Sequence, residues 1–598
     1  MAQRNFKWNA FERLKVKPGS ISAKAKNTEA ATLKHARHFV VSRWENTHQI
    51  RRQMAFWLIG VGLLIAAAAV QFNWFSNSFM TTSSADGGTY AEGNIGDVGT
   101  LNPLYASTQS EQTLARLAFS SLFHYDNNGA LRGDLAQTIQ TQNDGKRYTV
   151  EMRPGVVWQD GTPVTAQDVA FTINLIKKPE VGSPLLAAWT GVGVKALNTS
   201  TIQFDLSSIY APFPHALTFP ILPQHILASV DPSTLRENIF SRNPVGSGPF
   251  VIDSVQDIEG KKEHKVVRLS QNNRYYGGTP KIERVQLHTF ESQDDLQKSM
   301  LSGELSAASG LSMSNLNELS DKRFTVSSPP ISSAVYALFN TSRGPLADVK
   351  VRNALQVGTN IEAIIKSYPV ELNRIDTPFT KHQVNIEDIK KPQFNQDKAK
   401  KMLDDAGWKV KDGGLRHKDK KPLEMEVVTV KDPDYDSVAN KVAEQWRALG
   451  VKVKIRSVDT KDPSQNIASM VLQPRNYDVL IYELSLGADP DSYVYWHSSQ
   501  ADGKGLNLTN YKNDISDDIL VSARSRVDSE LREAKYRSFA KQWIETAPAI
   551  GLYQSNLIYV SKPNVSSIEK GTTLVTPYDR FNNVENWTVR EGSVYKTP

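Results

Sequence analysis

From Met54 to Val70 the chain reads MAFWLIGVGLLIAAAAV without a charge, and the uncharged run continues through Gln71–Phe72–Asn73–Trp74–Phe75. About 20 such residues, rising about 1.5 Å each, cross a hydrocarbon layer. Trp57, Phe72, Trp74 and Phe75 fall where interfacial aromatics gather. The run predicts a single membrane span over 54–76. A cleaved signal peptide is the competing reading, but the positive region before the run is far longer than a signal's n-region, and Ala66–Ala69 is only a diffuse cleavage site. A buried core helix fits less well still. Arg51 and Arg52 abut the run on its N-terminal side, and no Lys or Arg follows until Arg116. The positive-inside bias therefore places residues 1–53 in the cytoplasm and the large remainder outside a single-pass membrane protein.

Charge follows the same division. Residues 1–53 hold twelve Lys/Arg against three acids, whereas the rest holds 58 Lys/Arg against 60 acids. The basicity belongs to the tail, so a nucleic-acid binder is not expected from the near-neutral bulk. Asn27–Thr28–Glu29 can cap a basic amphipathic helix running to Arg52 that lies on anionic lipid; a solvated stretch that only sets topology is the other reading. The chain has no cysteine, which excludes disulfides, thiolate metal sites, thiol catalysis and a lipid-modified cysteine anchor. Thr81–Gly88 is small and polar, so 77–86 is expected as a linker.

Beyond residue 87 strand-like and helix-like pieces alternate without a fixed repeat, which disfavours solenoids and propellers. RYTVEM (147–152) and TIQFDL (201–206) alternate like strands. The run 165–176 predicts a helix capped by Thr165 and Asp168. The run 395–407 starts at a capping Asn and ends at a C′ Gly. Residues 424–430, 437–450 and 451–458 predict a strand–helix–strand unit, as in an α/β lobe. Phosphate-loop, nucleophile-elbow and zincin motifs are absent, and the eleven histidines are scattered, so neither a catalytic residue nor a metal site nor a cofactor is expected.

Several stretches in order carry a resemblance: GDVGTLNPLY (96–105), LAFSSLFHYDNNGALRGDLAQ (117–137), YTVEMRPGVVWQDGTPVTAQDVAFTI (148–173), NPVGSGPF (243–250), ALFNTSRGPLADVKVRNAL (337–355) and ADPDSYVYWHSS (488–499). Together they resemble the extracellular solute-binding proteins of family 5, the peptide- and nickel-binding receptors of ABC importers. Asp160–Gly161–Thr162–Pro163 forms a turn entering a capped helix, a scaffold role. Asn360 stands where the family usually has Asp, and the span stands in for the usual lipid anchor.

The resemblance implies an α/β, two-lobed periplasmic-binding-protein-like fold (type II, cluster C-like) after one transmembrane helix. Lobe I is expected at 87–335 plus 555–598 and lobe II at 336–554. It implies a non-enzymatic receptor that encloses a peptide or other small solute between its lobes and delivers it to an ABC permease with its ATPase subunits. An acid near Leu486–Asp491 would meet the peptide's ammonium: Asp489, or Asp491, or a position near Leu486, depending on alignment, while Asp-Pro-Asp also makes a good structural turn. Trp496, Tyr493 and Trp158 are candidates for an aromatic wall or for core packing, and Tyr105 and Asn102 are further ligand-binding candidates. A surface sensor relaying occupancy to the tail and a receptor for a non-peptide solute are the alternative functions.

Overall fold

The computed structural model describes residues 51–595 apart from 259–263, 320–322, 412 and 463. The tail helix expected after Asn27 lies outside the described residues. Two compact units divide the chain, one comprising residues up to Ser83 together with Gly592 onward, the other Ser84–Glu591.

In the first unit, helix Arg51–Phe79 is 29 residues long, and its segment Arg52–Phe75 is long and apolar enough to cross a membrane, with none of that segment buried. Apolar side chains occupy every face of that segment and are not buried against the protein. The expected linker 77–86 contains strand Met80–Ala85, which pairs with strand Arg590–Tyr595. The partner lies at the far end of the chain, so composition alone reads as loop.

The second unit is a two-lobed α/β fold. Lobe I is built on a seven-stranded sheet in the order Thr325–Ser327, Tyr559–Ser561, Ala307–Ser309, Thr89–Ile95, Arg284–Phe290, Lys265–Gln271, Phe250–Asp257. A four-stranded antiparallel sheet, Ala136–Gln142, Arg147–Met152, Thr201–Leu206, Val192–Ala196, extends it. Lobe II is built on a five-stranded sheet in the order Lys452–Val458, Glu424–Val430, Val479–Ser485, Pro330–Phe339, Ala549–Asn556. Glu424–Val430 and Lys452–Val458 are parallel neighbours joined by helix Pro433–Arg447. That helix starts earlier than the pattern from 437 predicts, because the Asp432 side chain accepts from the Asp434 and Tyr435 N–H groups ahead of Pro433 at N1.

The chain passes between the sheets twice. It leaves lobe I after Ser327 and enters lobe II at Pro330; it leaves lobe II after Asn556 and re-enters lobe I at Tyr559. The two passages lie side by side, with Ser327 opposite Tyr559 and Pro330 opposite Asn556 in one antiparallel register. Leu557 N–H donates to the Pro329 carbonyl at 2.9 Å and the Asn556 amide to Ser328 at 2.8 Å, so pairing continues through the joint. Positions 335 and 555, the lobe limits expected from sequence, lie inside strands Pro330–Phe339 and Ala549–Asn556 of lobe II.

Local chemistry accounts for the elements that position the site. Thr165 and Asp168 form a capping box on helix Ala166–Ile176. Asn360 caps helix Ile361–Ile365 by accepting from Ala363 N–H at 3.0 Å, so Asn performs the helix-start role of an Asp. Inside lobe I, Glu92 and Arg580 form a fully buried ion pair. Glu92 also accepts from Tyr90 Oη at 2.5 Å and Ser309 Oγ at 2.8 Å, which ties the central strand to the C-terminal segment. Losing one partner of such a pair costs about 3–5 kcal/mol because the other charge stays buried.

The NPVGSGPF segment runs directly against the end of helix Gln109–Ala118. Gly248 N–H donates to the Ala118 carbonyl at 2.9 Å, and a Cβ on Gly246 would lie 1.8 Å from that oxygen. Relief requires the backbone to move, so Gly246→Ala should destabilise the protein by about 3 kcal/mol or more. A chemical-denaturation midpoint equal to that of the wild type would refute this account of the segment.

Candidate functional site

The segment expected to meet ligand leaves the sheet at the end of strand Val479–Ser485. Leu486 N–H donates to the Ser332 carbonyl at 2.8 Å, and Gly487 turns the chain at φ +67°. The Gln383 amide holds the turn by donating to the carbonyls of Leu486, Gly487 and Asp489 at 3.0–3.2 Å. Asp491 N–H donates to Asp489 Oδ1 at 2.9 Å, the Asx-type closure that Asp-Pro-Asp favours.

Both acids are paired with arginines. Arg532, on helix Ser529–Thr546, donates to both oxygens of Asp489 at 2.8 and 3.0 Å. Arg524, which ends helix Asp514–Arg524, donates to Asp491 Oδ2 at 2.7 Å. The Asp489 and Arg532 side chains are only 11% and 15% exposed, so this bidentate pair is shielded from most solvent screening. Burial alone would lower both guanidinium pKa values, but the paired aspartates outweigh it and raise them.

Lobe I meets this cluster from the other side. Ala211 N–H donates to the Arg524 carbonyl at 3.0 Å. The Arg524 guanidinium lies over the Tyr210 ring at 5.1 Å and the Tyr493 ring at 4.1 Å. His215 Nε2 stands 3.8 Å from Asp489 Oδ2, while its Nδ1 is 3.1 Å from the Tyr125 hydroxyl. Burial lowers the His215 pKa more than Asp489 raises it. The imidazole is therefore neutral near pH 7, and its approach to Asp489 is not an ion pair. Burial, assisted by Asp491, pushes the Tyr210 hydroxyl up to about 12.

Tyr125 and His215 also line a cavity of about 330 Å³ within lobe I, near the lower end of the ~300–1,000 Å³ range of ligand pockets. Phe119, Phe123, Trp189 and Phe219 supply its apolar walls, and Arg116, His124 and Asp579 its charge-bearing groups. Arg116 Nη1 is 3.8 Å from Asp134 Oδ2, and its buried Nε has no hydrogen-bond partner. Burial raises Asp134 to about 6 despite Arg116, and it also raises Asp579.

Of the residues singled out from sequence, Asp489, Asp491 and Tyr493 come together at this junction. Trp496 is wholly buried against Tyr336 and Trp543, and Trp158 is wholly buried in the core of lobe I. Neither forms an aromatic wall of the cavity, because each ring is enclosed by its own lobe. Tyr105 is buried with Arg236 over its ring at 4.2 Å, while Pro103, Leu104 and Ala106 beside it line the cavity. Asn102 is a cap: it accepts from Leu104 N–H at 3.1 Å and donates to Ser241 at 3.3 Å. Arg532, Arg524, His215 and Arg116 lie outside the stretches that carry the resemblance, and Tyr125 lies within 117–137 without a local signal that marks its side chain.

The two titrating groups beside Arg116 oppose each other. Burial and Arg116 lower His124 to about 4, below the ordinary ~6.5. The unfolded chain thus takes up that proton first, and stability present at pH 7 is lost as pH falls through this interval. Asp134 lies above the ordinary carboxylate range, so its contribution is present at low pH and lost as pH rises towards 6. Removing the imidazole by His124→Asn should leave the Asp134 trend alone. The Tm of the wild type minus that of the variant should decrease from pH 7 to pH 4.5, and a constant difference would show that His124 is not held neutral.

Residues 130–505 match the family described as bacterial extracellular solute-binding proteins, family 5 Middle. The oligopeptide-binding protein AppA of Bacillus subtilis is 26% identical over 552 residues, covering 90% of this chain and 99% of AppA. The crystal structure of AppA from B. subtilis with a nonapeptide is similar with a TM-score of 0.68 at 25% identity, over 85% of this chain and 100% of that one. NikZ from Campylobacter jejuni, crystallised in complex with Ni(L-His), has a TM-score of 0.70 at 25% identity over 84% of this chain and 99% of NikZ.

Proposed function

The chain belongs to the bacterial extracellular solute-binding proteins of family 5, and from that membership we propose that it captures peptides between its lobes for an ABC importer. Its solute-binding domain is extracellular, and its relatives are solute-binding proteins rather than enzymes. The observation that carries the peptide reading is the junction at Asp489: a shielded carboxylate of lobe II faces a neutral imidazole of lobe I at 3.8 Å, beside a lobe-I cavity that contains an arginine. Likeness to AppA over nearly its whole length supports it.

In this reading a peptide ammonium bridges the gap, donating to Asp489 Oδ2 and to His215. An oxygen that already accepts from Arg532 retains a further lone pair, and a neutral imidazole accepts where an imidazolium would repel. The ligand's carboxylate, or an acidic side chain near its start, meets Arg116. The ribbon through 327–330 and 556–559 serves as the hinge and sets the proposed lobe limits, and only the closed form presents both lobes to a permease and its ATPase partners. A non-peptide solute is the second reading, favoured by the likeness to NikZ with Ni(L-His).

Thermal unfolding of the full chain in detergent separates these readings, because a ligand that binds only the folded state raises Tm, by the equivalent of about 2.7 kcal/mol at a hundredfold excess over Kd. Peptides with a free N-terminus should raise Tm, N-acetylated ones should not, and Asp489→Asn should abolish the shift. A response to nickel–histidine alone would overturn the peptide reading.

Helix Arg51–Phe79 is proposed as the tether, with residues 1–53 in the cytoplasm. Because the chain has no cysteine, single introduced thiols report topology without background. A membrane-impermeant maleimide on intact cells should label Lys195→Cys, an exposed position in lobe I, and spare Ser20→Cys until the membrane is permeabilised. Labelling of Ser20→Cys on intact cells would reverse the orientation.

A further inference from the structure

Far from the junction, on the seven-stranded sheet, two histidines and a glutamate come together from three segments. His288 is in strand Arg284–Phe290 and pairs across to Val266 in strand Lys265–Gln271. His264 precedes that second strand by one residue. Side chains alternate between the faces of a sheet, so His264 shares a face with Val266 and hence with His288, whereas Lys265 points to the other face. There the Lys265 ammonium donates to Asp97 at 3.0 Å and to the Val98 carbonyl at 2.8 Å. Glu304 reaches the histidines from the turn after helix Gln293–Leu301.

His264 and His288 are 5% and 6% exposed, while the Glu304 side chain is 42% exposed and stands at the mouth. One ligand atom from each residue lies within 4.8 Å of those of the other two, with His288 Nδ1 and Glu304 Oε1 3.8 Å apart. The His264 and His288 rings are 5.8 Å apart, and His264 rests on Phe290 at 4.6 Å, which fixes its plane. Among the described residues this is the one group of three His, Cys, Asp or Glu side chains so arranged.

We infer that His264, His288 and Glu304 form a binding site for one divalent cation of the imidazole-preferring class, Zn²⁺ foremost. Two neutral imidazoles and one carboxylate are a recurrent zinc donor set that leaves a fourth position for water. Bonds of about 2.0–2.1 Å draw the ligand atoms closer than they stand, and the exposed Glu304 is free to swing in while the buried rings remain. None of the three residues lines the lobe-I cavity or meets Asp489, so the ion is held by the protein's own side chains and is not cargo. It clasps the two strands to the turn at residue 304. The spacing, 24 residues from one histidine to the next and 16 on to the glutamate, matches no linear metal motif: antiparallel pairing unites the histidines, and the turn after helix Gln293–Leu301 adds Glu304.

The test uses the full chain in detergent, stripped of metal. Competition with a chromophoric chelator should give one tightly bound Zn²⁺ per chain, and Co²⁺ should give the visible bands of tetrahedral coordination. Losing a direct ligand exceeds the ~10–100-fold cost of losing an outer partner, so His264→Gln and His288→Gln should each weaken Zn²⁺ by more than about 100-fold and abolish the Co²⁺ bands. Glu304→Gln, an exposed change that spares the fold, should weaken Zn²⁺ at least tenfold. Replacing His35, His38 and His48 of the tail together by Gln should change nothing. If His288→Gln fails to fold, Glu304→Gln decides. No stoichiometric Zn²⁺, or affinity undiminished in Glu304→Gln and His264→Gln, overturns the site.

Discussion

The double-stranded ribbon that joins the two lobes constrains how they can move relative to each other. The passages at 327–330 and 556–559 keep one antiparallel register, and hydrogen bonds from Leu557 and Asn556 continue across the joint. Two paired strands resist stretching and shear between the lobes but can bend and twist about the joint. The register shift between Pro330 and Ala334 falls just inside lobe II, and an irregularity of this kind locally bends a strand and increases its twist. The motion the ribbon favours is therefore rotation about the joint, which in the proposed hinge closure opens or closes the region between Tyr210–His215 and Asp489–Arg532.

Several of the contacts across that region are polar and directional. Ala211 donates to the Arg524 carbonyl, the Arg524 guanidinium rests on a tyrosine of each lobe, and His215 approaches Asp489 without an ionic bond. The strong pairs, Asp489–Arg532 and Asp491–Arg524, lie within lobe II. Separating Tyr210–His215 from Asp489–Arg532 thus leaves both of these ion pairs intact, which suits the proposed equilibrium between open and closed forms. The buried pair Glu92–Arg580 has a different role: it joins two segments within lobe I.

What could be read from sequence was local. Strands Arg147–Met152 and Thr201–Leu206 and the capping box at Thr165 and Asp168 are written in adjacent side chains, and they stand as the patterns predict. The start of helix Pro433–Arg447 is legible too, in the cap Asp432 and in Pro433 at N1, although the apolar periodicity begins only at 437. The order of motifs identified the family and hence the fold, and with it the expectation that 486–491 meets the ligand. It could not show that Asp489 is engaged by Arg532, because that arginine belongs to a separate helix and has no spacing relation to the turn. Nor could it separate a cleft tryptophan from a core one: Trp496 and Trp158 have the same local signature in either place, and only the packing around them differs.

In the proposed peptide reading, the engagement of Asp489 by Arg532 bears on how tightly the receptor holds its cargo. A free carboxylate in a shielded site would attract an ammonium strongly, but it would destabilise the empty protein by the full cost of an unpaired charge. With Arg532 in place that cost disappears, and the incoming ammonium gains only what remains of the carboxylate's accepting capacity, together with the His215 lone pair. The net attraction is smaller, and its sensitivity to the rest of the ligand is reduced because the anchor meets only the terminus. A receptor that must release what it captures is served by that balance. In that reading Arg532 sets the strength of the anchor without touching the ligand, while the apolar walls of the lobe-I cavity add a fit by shape to the charge that Arg116 offers.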